Sequence, residues 1–399
     1  MAGDIVPRGA RVGPSAPGRA GHGPPVYSAV MSDPQLVQRI EAALGTVMEP
    51  ELHRDLMSLN MVRDLRVDEA GTVSMKVVLT TPACPLKDRI HKDIEQALIP
   101  LNGVERVEVS WDSNVTTTRG LPGRKDIPGV RNVVAVSAGK GGVGKTTVSV
   151  NTAIALSQMG ARVGLLDADI YGPNTTIMLG LHDQPRSAGE RILPLEAHGI
   201  KVMSLGTILK PDQAVVWRGP MIGGALRQFL YDVDWGDLDY LVIDLPPGTG
   251  DAQLTLAQSI PLTGSVIVTT PQDVSVADVS RGVQMFRQLK VPVLGVVENM
   301  SGYVCPHCGE RTEIFGTGGG TEVAQRFAIP LLGQIPLDPR IRTGGGEGQP
   351  LMAALSDSPV AATFRDVASH IAAEVSKENF RAGATGPVMP SGPRIRMAQ

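Results

Sequence analysis

Apolar residues recur along this chain at two spacings, one helical and one strand-like. From Ser32-Asp33-Pro34, the positions Leu36, Val37, Ile40 and Leu44 fall three and four apart. They predict a helix over 34–45, with Asp33 as its cap and Pro34 in its first turn. After Pro50-Glu51-Leu52 a polar-apolar stretch ends at Val67. Val73 to Leu79 alternates or runs apolar as a strand does, and Thr80-Thr81-Pro82-Ala83-Cys84-Pro85 reads as a turn. A helix over 86–98 and a strand over 104–111 complete the pattern. Residues 33–112 are thus expected to form a small α+β unit, near the lower size for independent folding.

Residues 113–130, with Thr-Thr-Thr-Arg-Gly-Leu-Pro-Gly-Arg and Ile-Pro-Gly, have linker composition. Beyond them, apolar runs lie near 132–137, 162–166, 201–205, 240–243, 265–269, 293–297 and 331–335. Helical patterns fill 145–159, 220–231, 275–289 and 360–377. Short apolar strands alternating with helices predict an α/β domain over 131–378, built on a doubly wound, mostly parallel sheet. Residues 1–32 and 379–399 are rich in Gly and Pro without apolar period and are expected to be a disordered extension and a flexible tail. A start at Met31 would remove most of the former. There is no internal repeat.

Composition narrows the class. Of 399 residues 42% are hydrophobic, ample for two cores, yet no run reaches the ~18–20 apolar residues of a membrane span. A formal charge of −3 provides no general attraction to nucleic acid or anionic lipid. Neither a nucleic acid nor a membrane is expected as partner. The three cysteines, Cys84, Cys305 and Cys308, are too few for a disulfide scaffold. With no export pattern at the N-terminus, they point to a reducing cytoplasm.

Val133 to Ser137 is a strand, followed at once by Gly139-Lys140-Gly141-Gly142-Val143-Gly144-Lys145-Thr146-Thr147 and a helix. This is the phosphate-binding pattern in its strand–loop–helix context. Glycines let successive N–H groups face one anion, and the helix N-terminus adds its positive dipole end. Lys145 would reach the β and γ phosphates of ATP, and the Thr146 hydroxyl would ligate Mg2+. The second lysine, Lys140, is not needed to hold phosphate. Its place in Gly-Lys-Gly-Gly resembles the deviant phosphate-loop ATPases, which include the MinD-like and nitrogenase-iron-protein-like enzymes. That resemblance implies a homodimer in which Lys140 contacts the other subunit's nucleotide, acting as an arginine finger does. It also implies roles for three strand-end carboxylates: Asp167 near magnesium, Asp169 orienting the attacking water, and Asp244, closing Tyr240-Leu-Val-Ile, holding magnesium through water. Pro246 to Asp251 would sense the nucleotide state, and Asn299 would read the adenine edge. Any one such Asp could be only a helix cap, but several on one sheet edge mark where these sheets bind ligands.

Cys305-Pro306-His307-Cys308-Gly309 is half of a four-thiolate site. No second pair exists in the chain, and Cys84 lies in the other unit. A two-fold dimer would supply the missing half. A bridging iron–sulfur cluster, a bridging zinc ion and a dithiol redox pair all remain open at this point; His307 reads as spacer rather than ligand.

With these residues together, 33–378 resembles the Mrp/ApbC family of iron–sulfur cluster carrier ATPases. The likeness rests on 139–147, on Asp-Ala-Asp-Ile-Tyr-Gly-Pro-Asn (167–174), on Arg-Gly-Pro-Met (218–221), on Asp-Leu-Pro-Pro-Gly-Thr-Gly-Asp (244–251), on Thr-Thr-Pro-Gln-Asp (269–273) and on Glu-Asn-Met-Ser with the cysteine pair (298–308). The N-terminal unit resembles a small iron–sulfur assembly domain through Pro50-Glu51-Leu52 and Thr80 to Pro85, with Ala83 where Gly is usual. The resemblance implies an ATP hydrolase that holds a labile 4Fe–4S cluster between two subunits and passes it between scaffold proteins and apo iron–sulfur proteins. It also implies a part for Cys84 in assembly or handover. A MinD/ParA-like positioning ATPase shares the loop and Lys140, and an electron-donating reductase shares the ATPase.

Overall fold

The computed structural model describes residues 34–117, 125–169, 172–207, 219–248, 250–305 and 307–384. The expected extension over 1–32, the Asp33 cap, Ile170, Tyr171, Arg218, Thr249, Pro306 and the tail beyond 384 lie outside them, as does the middle of the linker.

In the N-terminal unit, strand β1 (Val62–Val67) pairs antiparallel with β2 (Thr72–Leu79), and β2 pairs parallel with β3 (Arg106–Ser113). The parallel pair requires a crossover, supplied by helix α2 (Lys87–Leu98). Helix α1 (Pro34–Leu44) lies against α2. Leu36, Ile40 and Leu44 on α1, and Ile90, Ile94 and Leu98 on α2, recur at four-residue spacing and are buried against Val73, Met75, Val77 and Leu79 of β2.

Among the described residues the second sheet has nine strands. Its first strand in chain order, β4 (Val130–Ala138), is central. Next come β5 (Val163–Asp167), β6 (Leu195–Ala197), β7 (Ile200–Ser204), β8 (Leu238–Asp244), β9 (Gly264–Thr269), β10 (Val293–Val304), β11 (Arg311–Thr312) and β12 (Leu331–Leu337). In space they run β6-β7-β5-β8-β4-β9-β10, with β12 parallel and β11 antiparallel to β10. Among its described strands, only the β6 and β11 pairings are antiparallel. Both faces are covered, so the strands read as continuous apolar runs rather than alternations. Val134 and Val136 face helices α3 (Lys145–Gln158) and α9 (Pro359–Ala384). Val133 and Ala135 face the other way, toward α4 (Gly219–Tyr231), α5 (Asp251–Ser259) and α6 (Asp273–Gln288). Two further helices, α7 (Gly319–Phe327) and α8 (Pro339–Gly346), follow β10 and β12. The chain moves from β4 to β5 on one side and later to β9 on the other. The mouth of β4 is therefore the switch point where open α/β sheets bind ligands.

The segment expected to loosen at 379 instead continues as helix α9 to Ala384. Asn379 anchors it, donating to Thr116 O at 2.8 Å and Asn132 Oδ1 at 2.9 Å. The turn carrying Cys84 docks at the opposite sheet edge from the β4 mouth. There Tyr240 Oη donates to Thr81 Oγ1 at 3.0 Å, and Ala83 joins the core beneath α3. No helix among the described residues is long and apolar enough to cross a membrane.

Candidate nucleotide site and cysteine knuckle

The loop from Gly139 to Gly144 joins the end of β4 to the start of α3. Gly142 and Gly144 take φ of 82° and 81°, a region L side chains rarely adopt. Gly139 packs so closely on α6 that a Cβ would stand 2.5 Å from the Asp278 carbonyl carbon. These constraints curl the loop around the α3 N-terminus, which offers its unpaired N–H groups and dipole to an anion.

Lys145 is 6% exposed, with Nζ 2.8 Å from Asp244 Oδ1 and 3.4 Å from Asp169 Oδ2. The distances are those of an ion pair, but the angles satisfy no hydrogen bond, so the charge is balanced while the donors stay unpaired. A buried ammonium with idle donors fits an incoming phosphate. Asp244 is fully buried at the end of β8 and accepts from Thr146 Oγ1 and Ser149 Oγ, each at 2.7 Å. This hydroxyl–carboxylate pair at a phosphate site fits Mg2+: Thr146 would ligate it directly and Asp244 through water. When bound, the ion would neutralise developing phosphate charge. Asp167, also fully buried, accepts from Ser204 Oγ at 3.0 Å and from the N–H groups of Asp169 and Thr175. Burial, reinforced by the Asp244 charge, pushes its carboxyl up to about 7.

Lys140 Nζ donates to Gln272 Oε1 of its own chain at 3.3 Å. The Asn299 amide, expected at the adenine edge, donates to Val143 O at 2.9 Å and is 5% exposed. It braces the loop from behind. A cavity of about 440 Å³ opens over the loop and is closed on its far side by Asn174, Ile177, Met178, Ile341, Arg342 and Gly345. Asn174 closes the 167–174 motif and Gln272 lies in 269–273, but sequence reasoning missed Ile177, Met178, Ile341, Arg342 and Gly345, as it missed Ser149 and Ser204. Only Ser149, one helical turn beyond Lys145, had a readable spacing.

Past β10 the chain folds back on itself. Cys305 N donates to Glu310 O and Gly309 N to Cys305 O, both at 2.9 Å. Gly309 at φ 74° closes the turn. Backbone N–H groups of Cys308 and His307 point at the Cys305 sulfur and hold its thiol below the usual range; such a thiol gives a thiolate ligand readily. Cys305 is half-buried and Cys308 exposed. Cys84 is the opposite case. Burial, with smaller contributions from Glu51 and Glu49, pushes its thiol up to about 12. The structure brings Cys305 and Cys308 together and leaves Cys84 at the other sheet edge.

The family of NUBPL iron-transfer P-loop NTPases matches residues 129–372, more than half of the chain. The chain belongs to this family. An iron–sulfur cluster assembly protein family matches residues 37–111, the N-terminal unit. This NTPase is 51% identical over 339 residues to the iron-sulfur cluster carrier protein of Synechocystis sp., covering 84% of this chain and 96% of that one. It is 48% identical over 337 residues to the protein of that name from Deinococcus radiodurans, covering 84% and 94%. Among solved structures, a nucleotide-binding protein of Archaeoglobus fulgidus in complex with ADP is 41% identical, with a TM-score of 0.51 over 56% of this chain and 88% of that one.

Proposed function

We propose that this NTPase is a cytoplasmic, homodimeric ATPase that carries a 4Fe–4S cluster between the Cys305/Cys308 pairs of two copies and transfers it to apo iron–sulfur proteins. The observation that carries the reading is the knuckle itself. It presents a half-buried and an exposed sulfur on one tight turn whose backbone N–H groups point at Cys305, and the strand leading into it braces the nucleotide loop. Two thiolates per chain call for a second copy to complete a four-sulfur cage. A cage split across an interface opens when the subunits move, which suits delivery better than storage.

ATP is the second half of the reading. Lys145 and the α3 N-terminus would hold its β and γ phosphates. Asp169, in reach of Lys145, would orient the attacking water, and Lys140 would leave Gln272 to stabilise charge on the partner's nucleotide. The N-terminal unit would be an assembly-type domain joined by the 113–130 linker, with Cys84 receiving or passing iron and sulfur when its proton is displaced. The relatives from Synechocystis and Deinococcus are named iron-sulfur cluster carrier proteins, which supports the same assignment.

Anaerobic reconstitution followed by iron, sulfide and zinc analysis tests it. One 4Fe–4S cluster per two chains is expected, lost in Cys305→Ala. Zinc in place of iron, or a full cluster in Cys305→Ala, overturns it.

A further inference from the structure

Strand β10 passes both functional centres. Asn299 on it braces the phosphate loop, and Cys305 follows one residue after the strand ends. Between these points the ladder with β12 slips. Asn299 faces Ile335 and Tyr303 faces Leu337, so four steps on β10 match two on β12 and the difference is looped out as a bulge. Met300 and Gly302 in the bulge take φ of 58° and 72°. A bulge changes the path of a strand without breaking the ladder on either side.

Each end of this bulge is tied to something different. At the front, the Met300 side chain lines the nucleotide cavity, and its Cε stands 3.8 Å from where a Gly144 Cβ would be. At the back, Ser301 Oγ donates to Glu298 Oε1 at 2.6 Å. Glu298 is fully buried and is itself pinned. Gln334 Nε2 donates to it from β12 at 2.8 Å, and Gly320 N from the α7 N-terminus at 2.6 Å. Beyond the bulge, Tyr303 and Val304 pair with Thr312 and Arg311, and Cys305 N is bound to Glu310 O. A run of defined contacts therefore connects Val143 in the phosphate loop with Cys305 in the knuckle.

We infer that the Met300–Gly302 bulge transmits nucleotide occupancy to the cysteine knuckle, with Ser301 and Glu298 as its pivot. Closure of the loop on phosphates displaces Asn299 and Met300. The Ser301–Glu298 hydrogen bond fixes the point about which the strand turns, and the motion emerges as a change in presentation of Cys305 and Cys308. Ser301 and Glu298 touch neither nucleotide nor sulfur; they are positioning residues. The inference rests on reading Cys305 and Cys308 as the cluster ligands.

The test uses the full-length, reduced, metal-free protein. Alkylation of Cys305 by iodoacetamide is followed by peptide mapping, with and without a saturating non-hydrolysable ATP analogue and magnesium. Added glutathione serves as the internal reference, because the Cys84 thiol is held too high to react at a comparable rate. A coupling at the low end of the usual range changes the Cys305 rate about fivefold. Ser301→Ala should bind the analogue as the native protein does, melt at a similar temperature, and lose the rate change. Two results overturn the inference. One is an unchanged Cys305 rate in native protein when fluorescence titration shows the analogue bound. The other is a full response in Ser301→Ala, which would assign the effect to shielding by a second subunit. Loss of the proposed function is separately visible. A protein that takes up no cluster yet retains the nucleotide-dependent rate keeps the transmission and loses the carrier reading.

Discussion

Two residues in the N-terminal unit carry a charge effect that solution measurement can isolate. Glu51 sits half-buried beside Glu49, and Lys377 of α9 faces both. Burial first, and the Glu49 charge second, push the Glu51 carboxyl from 4.5 up to about 7. Between those values the folded protein holds a proton that the unfolded chain has released. The stabilisation from that proton is complete below the unfolded value and is lost as pH rises through about 7. Solvent screening at this partly open site reduces it to about 1 kcal/mol. The thermal midpoint should therefore fall by a few degrees from acid to mildly alkaline buffer. Glu51→Gln should flatten that fall and raise the midpoint at the alkaline end. Calorimetry across the pH range decides; an identical slope in both proteins removes the assignment.

At the scale of elements, the strand–loop–helix unit works because two backbones approach closely. Gly144 has φ 81°, and a Cβ there would stand 2.2 Å from Asn299 Nδ2. Gly144→Ala must shift either the loop or β10, besides the strain of a left-handed alanine, about 1–3 kcal/mol. The N–H groups then no longer converge on one phosphate. A titration with fluorescent ATP should show affinity reduced about tenfold or more, while the far-ultraviolet dichroism stays native. Retained affinity would mean that the Asn299 brace is incidental.

Across the whole molecule, the sheet separates two chemistries. The nucleotide loop and the knuckle share the C-terminal edge of the parallel strands, whereas the Cys84 turn is held at the other edge by Thr81 and Tyr240. Lys140 is engaged with Gln272 of its own chain, so its proposed work on a second subunit's nucleotide requires release. Lys140→Ala should leave ATP affinity near native while phosphate release slows by about 10³, the lower range for a charge supplied in trans. Light scattering with ATP reports whether two copies still associate. A variant that hydrolyses ATP at the native rate would assign Lys140 to a solvated loop.

The local codes are readable in the sequence itself. Apolar runs at 132–137 or 240–243 mark strands covered on both faces, because no alternation is needed when both faces are dry. The glycines of 139–144 announce a backbone that must curl, and the 305/308 spacing announces paired thiols. What stayed hidden depends on distant segments meeting. Gln334 reaching Glu298, Asn299 turning to Val143 instead of outward, and Ile341 and Arg342 closing the nucleotide cavity are contacts between residues tens to hundreds of positions apart. Helix α9 persists past 379 for the same reason: Asn379 finds Thr116 and Asn132, and those bonds offset the ordering of a segment whose own composition has no apolar period. Local spacing marked the phosphate loop and the paired thiols of this protein, while the roles expected of Lys140 and the strand-end carboxylates came from resemblance. Packing decided which of them face one another, since side-chain direction across a gap is set by both walls and not by either sequence alone.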